Sequence, residues 1–454
     1  MQKDPTGQKR RPVQSAQSPT ARKPAVKKVP PQPAGAKKAP VQASKKGKQG
    51  SGMMNVRRTL RIGGRTTIDY AQRTMSAFES FVEQEDASKQ TTGIFRFLSR
   101  LRFSFKAFFT GAIVVLIIAF LIFSNTNIMT DQQKVTIVGI SSDFEGYNIL
   151  HLSDLHGRRF GEKQANLLRA IDNTDYDIVL ITGDMVGASG DPEPFYELIE
   201  GLGTSKPIYI ISGDSDPGPL LGSARDIVGT LNEMVLEEWI LGAMERGAIY
   251  LNKPMSLEVG SSTLWLSPAS MLGVNADEAL EMAEYELDLQ KGGVVDGISA
   301  DYTELPFTNY RYRQLSGLKE GALYLEEEDL HITLSHYPPS DNVLASSLTN
   351  AYSVENTYLF APDLAFCGHY CGGIWRLPGL GAFYIPDSLA ERHGWLPDQS
   401  IVSGLRQSSS TMIYTSSGLG VTDYGFFIDF RIMNSPQISL ITLTTQLTDD
   451  LLAG

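Results

Sequence analysis

Short apolar runs alternate with amphipathic stretches over roughly the C-terminal two thirds of the chain. The apolar runs are bounded by polar or glycine residues, and they predict buried strands at residues 147–152, 177–181, 207–211, 331–335 and 363–367. The amphipathic stretches predict helices at residues 162–171, 195–202 and 275–291. Short apolar strands separated by such helices are typical of an α/β sheet with helices on its faces.

The longest apolar run covers residues 107–123, which include no charged side chain. Its 17 residues lie at the short end of the range for a bilayer-spanning helix. A buried helix of a soluble protein is the alternative, but no polar stripe interrupts the run. A removed signal peptide is disfavoured because about a hundred residues precede it. The pattern therefore predicts one membrane-spanning segment, with its basic flank, at residues 96–125.

The charges on the two sides of this run predict its orientation. Asp131 and Lys134 are the nearest charged residues after the run, whereas four basic residues stand immediately before it: Arg96, Arg100, Arg102 and Lys106. Basic residues stay on the cytoplasmic side of a membrane. We therefore expect a single-pass protein of the cell membrane, with a cytoplasmic N-terminus and a large extracellular domain.

The N-terminal segment, residues 1–95, differs sharply from the rest of the chain. Its first fifty residues are mainly Lys, Pro, Ala, Gln and Ser, a composition that predicts disorder. Residues 1–106 hold 23 Lys and Arg against 6 Asp and Glu, while the remaining residues hold 17 against 45. The segment is either a solvated cytoplasmic tail or a cationic arm for anionic lipid or nucleic acid. Base stacking has no support, because no aromatic residue occurs in the first fifty.

Polar side chains follow each predicted strand of the outer domain, residues 131–448. The first three strands are followed by Asp154 and His156, by Asp184, and by Asp214-Ser215-Asp216, and the two later strands by His336 and His369. A single Asp after a strand is usually a turn or helix cap, but ligand groups in open α/β sheets gather at the carboxyl ends of strands. Carboxylates together with imidazoles suit Mn, Fe or Zn rather than Ca. A shared carboxylate can hold two such cations about 3.5–4 Å apart.

These motifs carry a family resemblance. Asp154-x-His156, Gly183-Asp184, Gly213-Asp214-x-Asp216, Ser335-His336 and Gly368-His369-x-x-Gly372-Gly373, in this order, resemble the calcineurin-like metallophosphoesterases. The closing segments look like the membrane-anchored bacterial branch, some of whose members act on phospholipid-type substrates. The resemblance implies a four-layer αββα sandwich with a two-metal site at its edge.

The resemblance also implies a ligand set. One metal takes Asp154, His156 and the bridging Asp184, and the other takes Asp184, Asp214, His336 and His369. Catalytic roles fall on Asp184, Asp214 and Asp216. The implied reaction is hydrolysis of a phosphomonoester or phosphodiester by a metal-activated hydroxide, with two divalent cations (Mn, Fe or Zn) as cofactors.

Two positions depart from the family pattern. Ser215 stands where the family has a histidine near the leaving group, and a hydroxyl is a poor general acid. Cys371 stands where the first metal would take its last histidine. A thiolate ligand, a metal-poor first site and a Cys367–Cys371 disulfide all remain open. These departures leave a second function in view, a non-catalytic binding or scaffold module at the cell envelope.

Other residues give weaker indications. Arg158 and Arg159 could hold a substrate phosphate or form a solvated pair. His393, grouped with them as substrate-binding, is either a substitute for the missing acid or an ordinary loop histidine. His151 and His331 sit within strand patterns and are expected in the core. Residues 296–320 are expected to form a polar loop of the kind that serves as a lid or partner surface.

Overall fold

The computed structural model describes residue 76 and residues 105–222, 235–292, 294–295, 298–299, 304–350, 357–385, 394–421 and 430–445. Apart from residue 76, these residues belong to one compact unit, Ser99–Gly454. The predicted disorder of residues 1–95 falls, but for residue 76, outside the described residues, and so does His393.

Helix α1 (Phe105–Thr126) contains the apolar run identified in the sequence. Its segment Phe109–Thr126 is long and apolar enough to cross a membrane, and most of its side chains are exposed. Ser124 and Asn125, in contrast, are buried against the following domain. The Asn125 side chain accepts the backbone N–H of Arg431 (2.8 Å) and donates to the carbonyl of Arg431 (2.9 Å). The end of α1 is therefore attached to the domain.

The first sheet has six strands in the order β1 (Met129–Thr136), β16 (Gln437–Thr444), β2 (Asn148–Leu152), β3 (Ile178–Thr182), β4 (Ile208–Ile211) and β5 (Ala248–Tyr250). Strands β2 to β5 are parallel, so their carboxyl ends meet at one edge. All five residues of β3 are buried, as its continuous apolar sequence predicts for a central parallel strand.

The second sheet has the order β14 (Gly404–Ser408), β15 (Thr411–Thr415), β11 (Leu364–Cys367), β10 (Leu330–Leu334), β7 (Ser262–Pro268) and β6 (Met255–Val259). Its four central strands are parallel, and β14 and β6 are antiparallel edge strands. Two small hairpins lie outside the sheets, one of β8 (Val294–Val295) with β9 (Ile298–Ser299) and one of β12 (Trp375–Leu377) with β13 (Gly381–Tyr384).

Helices cover the outer faces of both sheets. The first sheet packs against α2 (Ala165–Asp172), α3 (Glu193–Leu202) and α4 (Glu238–Glu245), through residues such as Phe195. Helix α5 (Ala276–Gly292) packs with α6 (Leu305–Tyr324), and Tyr310 of α6 joins the core beneath the helices of the first sheet. Leu344 of α7 (Asp341–Asn350) packs on Ile413 of the second sheet. A short helix, α8 (Gln399–Val402), precedes β14. The inner faces meet in a core that includes Leu180 and Phe366. The predicted four-layer αββα sandwich is confirmed.

The expectation of a polar loop at residues 296–320 is wrong, because most of this segment belongs to α6. The buried positions of α6 include Tyr310, Gly317, Leu318 and Gly321. Two of these are glycines and one is a tyrosine, so few large apolar side chains mark the buried face. The helical period is consequently weak in the sequence.

Candidate metal centre

Five strand ends deliver the predicted ligands to one edge of the sandwich. Each ligand lies two or three residues beyond its strand: Asp154 after β2, Asp184 after β3, Asp214 after β4, His336 after β10 and His369 after β11. His156 and Cys371 follow in the same loops. Hydrogen bonds between loops of the two sheets join them. For example, the backbone N–H of His369 donates to Asp154 Oδ1 (3.0 Å). The seven predicted metal ligands are thus brought together.

Five of these residues have left-handed backbone conformations. Their φ values lie between 49° and 73°, at Asp154, His156, Asp184, His369 and Cys371. Such conformations cost about 1–3 kcal/mol each for non-glycine residues and concentrate at functional sites. The glycines beside them make room, since a Cβ on Gly368 would lie 2.7 Å from Asp154 Oδ2. The loops are therefore built around these side chains.

The first group of side chains, here called the Asp214 cluster, contains Asp184, Asp214, His336 and His369. The Nε2 atom of His336 lies 3.2 Å from Asp184 Oδ2 and 2.9 Å from Asp214 Oδ1. The Nδ1 atom of His369 lies 3.2 Å from Asp214 Oδ1. Two imidazole nitrogens and two carboxylates therefore face a common point, an arrangement that could hold a metal ion.

The second group, the Cys371 cluster, contains Asp154, His156 and Cys371. The sulfur of Cys371 lies 3.8 Å from His156 Nε2. That nitrogen lies 3.6 Å from Asp184 Oδ2, so Asp184 stands between the two clusters. When His336 is neutral, the buried Asp184 Oδ2 has no hydrogen-bond donor among the described residues, which is costly for a carboxylate oxygen. A cation on either side would compensate that oxygen, so the residues present fit a pair of metal ions.

The ligands are oriented by contacts behind them. Asp184 Oδ1 accepts the N–H of Ser215 (2.8 Å), which turns Oδ2 toward the space between the clusters. The Nδ1 atom of His336 lies 2.8 Å from the carbonyl oxygen of Thr182 and must donate to it. In the neutral ring, the lone pair of His336 is therefore on Nε2, facing Asp184 and Asp214. Such outer contacts fix the tautomer of metal-binding histidines.

Asp216 lies next to Asp184, and among the described residues its carboxylate accepts hydrogen bonds from backbone N–H groups. One carboxylate oxygen accepts the N–H groups of Asp184 (2.8 Å) and Gly213 (2.9 Å). The other accepts those of Val186 (2.8 Å) and Gly187 (3.1 Å). Four amides from two loops converge on this buried group. The catalytic role expected for Asp216 stays a prediction, and these contacts favour a supporting role.

The Asp214 cluster holds a proton strongly. Burial alone would lower the pKa of His336, but hydrogen bonds with Asp184 and Asp214 raise that pKa well above its ordinary 6.5. Burial raises the pKa of Asp184 and of Asp214, yet contacts with the imidazoles outweigh burial and lower both values. Since metal binding requires a neutral imidazole, a divalent cation would replace this proton.

Cys371 and Cys367 are both free and buried. Cys367 lies in β11 and packs with Leu344 and Ile413, away from the cluster, so the disulfide alternative is wrong. Burial, followed by the charge of Asp154, raises the pKa of the Cys371 thiol well above its ordinary value. A metal ion or another cation is therefore needed to stabilise a thiolate at this position.

One such cation, missed in the sequence, is Arg431. Its side chain is fully buried, donates to the carbonyl of Gly420 (2.8 Å from Nε) and interacts with Cys371. Burial lowers the pKa of Arg431, and the charges of Cys371 and Asp154 oppose that effect. One indication of this burial is present in the sequence, because Arg431 stands between two apolar residues, Phe430 and Ile432.

Tyr337 was also missed, although it directly follows His336. Its hydroxyl donates to Asp214 Oδ2 (2.8 Å), and its ring stacks on His369 with centroids 3.8 Å apart. The side chain is 42% exposed. Tyr337 therefore forms part of the solvent-facing wall of the Asp214 cluster.

Arg158 and Arg159, two of the predicted substrate-binding residues, make contacts with other protein groups. Arg158 donates to the carbonyl of Asn125 in α1 (2.6 Å) and stacks on Phe160. Arg159 is half exposed and pairs with Asp191 and Glu197. These contacts tie both arginines to protein groups, and their phosphate-binding role stays a prediction. His151 and His331 are buried in the two sheets, as expected, and burial lowers their pKa values to about 3 and about 4.

The chain was compared with family models, curated proteins and solved structures. Residues 147–372 match the family model of the calcineurin-like phosphoesterases, a range that includes all seven ligands. Among 48 matching solved chains is a phosphopantetheinyl hydrolase from Mycobacterium tuberculosis. It is 11% identical, with 61% of this chain and 91% of that chain covered and a TM-score of 0.30. No curated relative matches the chain.

Proposed function

We propose that the chain is a metal-dependent phosphoesterase tethered to a membrane. The premise is that it carries a calcineurin-like phosphoesterase domain, which is the domain of a phosphoester hydrolase. The observation that carries the proposal is the shared position of Asp184, whose buried Oδ2 faces both clusters. The substrate would be a phosphomonoester or phosphodiester, and phospholipid-type esters are included.

The ligand residues have distinct tasks in this proposal. Asp154, His156, Asp184 and Cys371 would hold one metal ion, and Asp184, Asp214, His336 and His369 the other. When bound, two divalent cations supply Lewis-acid polarisation of the phosphoryl group and lower the pKa of a water molecule. Thr182 keeps the Nε2 lone pair of His336 available, and the Ser215 N–H keeps Asp184 in its bridging orientation.

The leaving group presents a separate requirement. Ser215 occupies the position from which an acid would act in the implied family mechanism, and its hydroxyl does not titrate near neutral pH. General acid catalysis contributes about 10²–10⁴ in rate. We therefore expect the enzyme to favour esters with good leaving groups. A catalytic role for Asp214 would be indirect, through its hydrogen bonds to His336 and Tyr337.

We further propose that α1 spans the cell membrane with the phosphoesterase domain outside. The apolar segment Phe109–Thr126 supports the span, and the basic residues before it support a cytoplasmic N-terminus. External protease applied to intact cells should then digest the domain. Digestion only after the cells are permeabilised would contradict the orientation without affecting the proposed chemistry.

A non-catalytic module at the envelope is the second candidate. Ser215 and the buried thiol of Cys371 favour it, because both replace the histidines expected from the family pattern. Such a module would keep the fold and perform binding alone. Its metal content would be one ion at most.

Metal content and turnover distinguish the two candidates. The full chain, purified in detergent, is analysed for bound Mn, Fe and Zn and assayed with an aryl phosphate. Two metals per chain together with turnover support the enzyme. Folded protein with at most one metal and no turnover supports the module. If turnover appears only in the double variant Ser215→His, Cys371→His, the natural chain is not a phosphoesterase of this type.

A further inference from the structure

A cavity of about 450 Å³ opens beside the Asp214 cluster. It shares His336 with the metal centre and extends past the ends of β4, β7 and β10. Its volume lies within the usual range for small-molecule sites. His336 lines the cavity and also belongs to the Asp214 cluster, so a group bound at that cluster has a neighbouring space for a substituent.

Helix α6 forms one wall of this cavity. Arg311, Gln314, Leu315 and Leu318 line it, and their spacing of three, one and three residues places them on one helical face. Leu318 is buried, Leu315 is partly buried, and the guanidinium of Arg311 is more than half exposed and pairs with Glu286 of α5 (3.5 Å). The wall is thus apolar within and cationic at its rim.

The position of α6 is fixed by close packing. A Cβ on Gly321 would lie 2.6 Å from Pro254, so the helix backbone approaches the segment after β5 closely. The side chain of Asn252 donates to the hydroxyl of Tyr310 (2.6 Å), and Gln314 donates to the carbonyl of Asn252 (3.2 Å). The cavity is therefore formed before any ligand enters, which reduces the ordering cost of binding.

The chemistry of the lining differs from that of the metal centre. Apolar side chains supply much of it, among them Ile211, Leu251, Met271 and Val274. None of the described residues that line the cavity is acidic, although residues after 106 carry 45 Asp and Glu against 17 Lys and Arg. Tyr250 is the one aromatic lining residue besides His336 in the described chain, so a nucleobase has little to stack on.

We propose that this cavity binds the alcohol portion of the substrate and selects phosphate esters of extended aliphatic alcohols. The inference rests on the proposed function and names the substrate class. The phosphate would lie at the metal centre, the aliphatic portion along Leu315 and Leu318, and any polar terminus near Arg311. An attachment to a membrane agrees with this class, because lipid-type esters have such alcohols.

The test compares octyl phosphate with ethyl phosphate on the full chain in detergent. Each buried methylene group should raise kcat/KM about fourfold, so the octyl ester should be preferred by about 10² if several are buried. Leu315→Trp fills the cavity and should reduce this preference at least about 10-fold. The matched variant Leu323→Trp, at an exposed position on the same helix, should keep it.

Binding and folding measurements complete the test. Thermal denaturation shows whether each variant is folded, and calorimetry compares octylphosphonate with methylphosphonate on metal-loaded wild-type protein. Hydrolysis without preference for the octyl ester would overturn the inference and leave the phosphoesterase intact. If no ester is hydrolysed, the proposed function fails. Stronger binding of octylphosphonate than of methylphosphonate would then still support the cavity assignment, and equal binding would overturn it.

Discussion

The Asp214 cluster and the Cys371 cluster meet at Asp184 but compensate charge in different ways. In the Asp214 cluster, imidazole nitrogens lie 2.9–3.2 Å from carboxylate oxygens, and a shared proton balances the negative charge. In the Cys371 cluster, His156 Nε2 lies 3.8 Å from the sulfur of Cys371 and 3.6 Å from Asp184 Oδ2 of the other cluster, and the nearby cation is the buried Arg431. The positive charge in the Asp214 cluster is therefore a proton that can be lost, whereas the positive charge beside the Cys371 cluster belongs to a guanidinium that stays protonated.

This difference indicates unequal demands on the two metals. Carboxylates and imidazoles accept Mn, Fe or Zn, whereas a thiolate favours Zn or Fe. Arg431 can stabilise a thiolate while the metal exchanges, because a guanidinium does not lose its proton. We expect the Cys371 cluster to be the more selective of the two.

The largest effect should come from the residue that the clusters share. Asp184→Asn removes the bridging carboxylate, and it should lower kcat/KM on an aryl phosphate by more than about 10², since even outer contacts to metal ligands are worth 10–100-fold. Metal analysis should show loss at both clusters. Asp175→Asn, an exposed control, should change neither quantity. Two metals retained in Asp184→Asn would contradict the bridging role.

The next effect concerns metal preference. Cys371→His replaces the thiol with an imidazole, and it should raise the activity with Mn relative to Zn by roughly 10-fold. The measurement is reconstitution of chelator-treated protein with each metal.

Cys367→Ala is the control for this substitution, because Cys367 is buried in β11 and packs away from the metal centre. It should leave the ratio of Mn to Zn activity unchanged. An equal ratio in wild-type protein and in Cys371→His would mean that Cys371 is not a ligand.

The shared proton predicts a pH dependence of stability. The pKa of His336 is raised above 6.5 in the folded chain, so its protonated form stabilises the fold below pH 6.5, and this contribution is lost as the pH rises through the raised value. The unfolding free energy of metal-free protein should fall above pH 6.5, by at most about 1.4 kcal/mol per pH unit. Denaturation with and without metal checks this, because bound metal should remove the slope.

Two variants assign that slope to one cluster. His336→Asn should flatten it, because no imidazole remains between the two carboxylates. Cys371→Ser should keep this slope at every pH below 9.0, the ordinary pKa of a thiol. Burial raises the pKa of Cys371 above that value, so the thiol does not contribute to the slope in this range. A slope that disappears in Cys371→Ser would place the proton in the other cluster.

The smallest effect should come from α1. Asn125→Ala removes both side-chain hydrogen bonds to the backbone of Arg431, and it should weaken metal binding at the Cys371 cluster by less than about 10-fold. Metal binding at the Asp214 cluster should not change. Thr126→Ala is the matched control, because the Thr126 hydroxyl donates to the carbonyl of Ile122 within the same helix. An equal effect at both clusters would argue against a specific link through Arg431.

The sequence predicted the sheet and the grouping of the candidate ligands because these features are local. Strands such as β3 are continuous apolar runs, and each ligand directly follows a strand, so the parallel order places them at one edge. Arg431 could not be predicted in the same way, because its contact with Cys371 joins distant parts of the chain. Helix α6 was missed since glycines form part of its buried face, and the cavity beside it depends on that packing.

The junction between α1 and the domain has a consequence for where the enzyme can work. Only two residues separate the end of α1 at Thr126 from the start of β1 at Met129, and Asn125 is already bonded to the domain. If α1 crosses the bilayer as proposed, the short connection prevents the catalytic centre from moving far from the membrane surface. It would stand at a set height above the lipid, so molecules at that height would be hydrolysed and those farther out would have to diffuse inward.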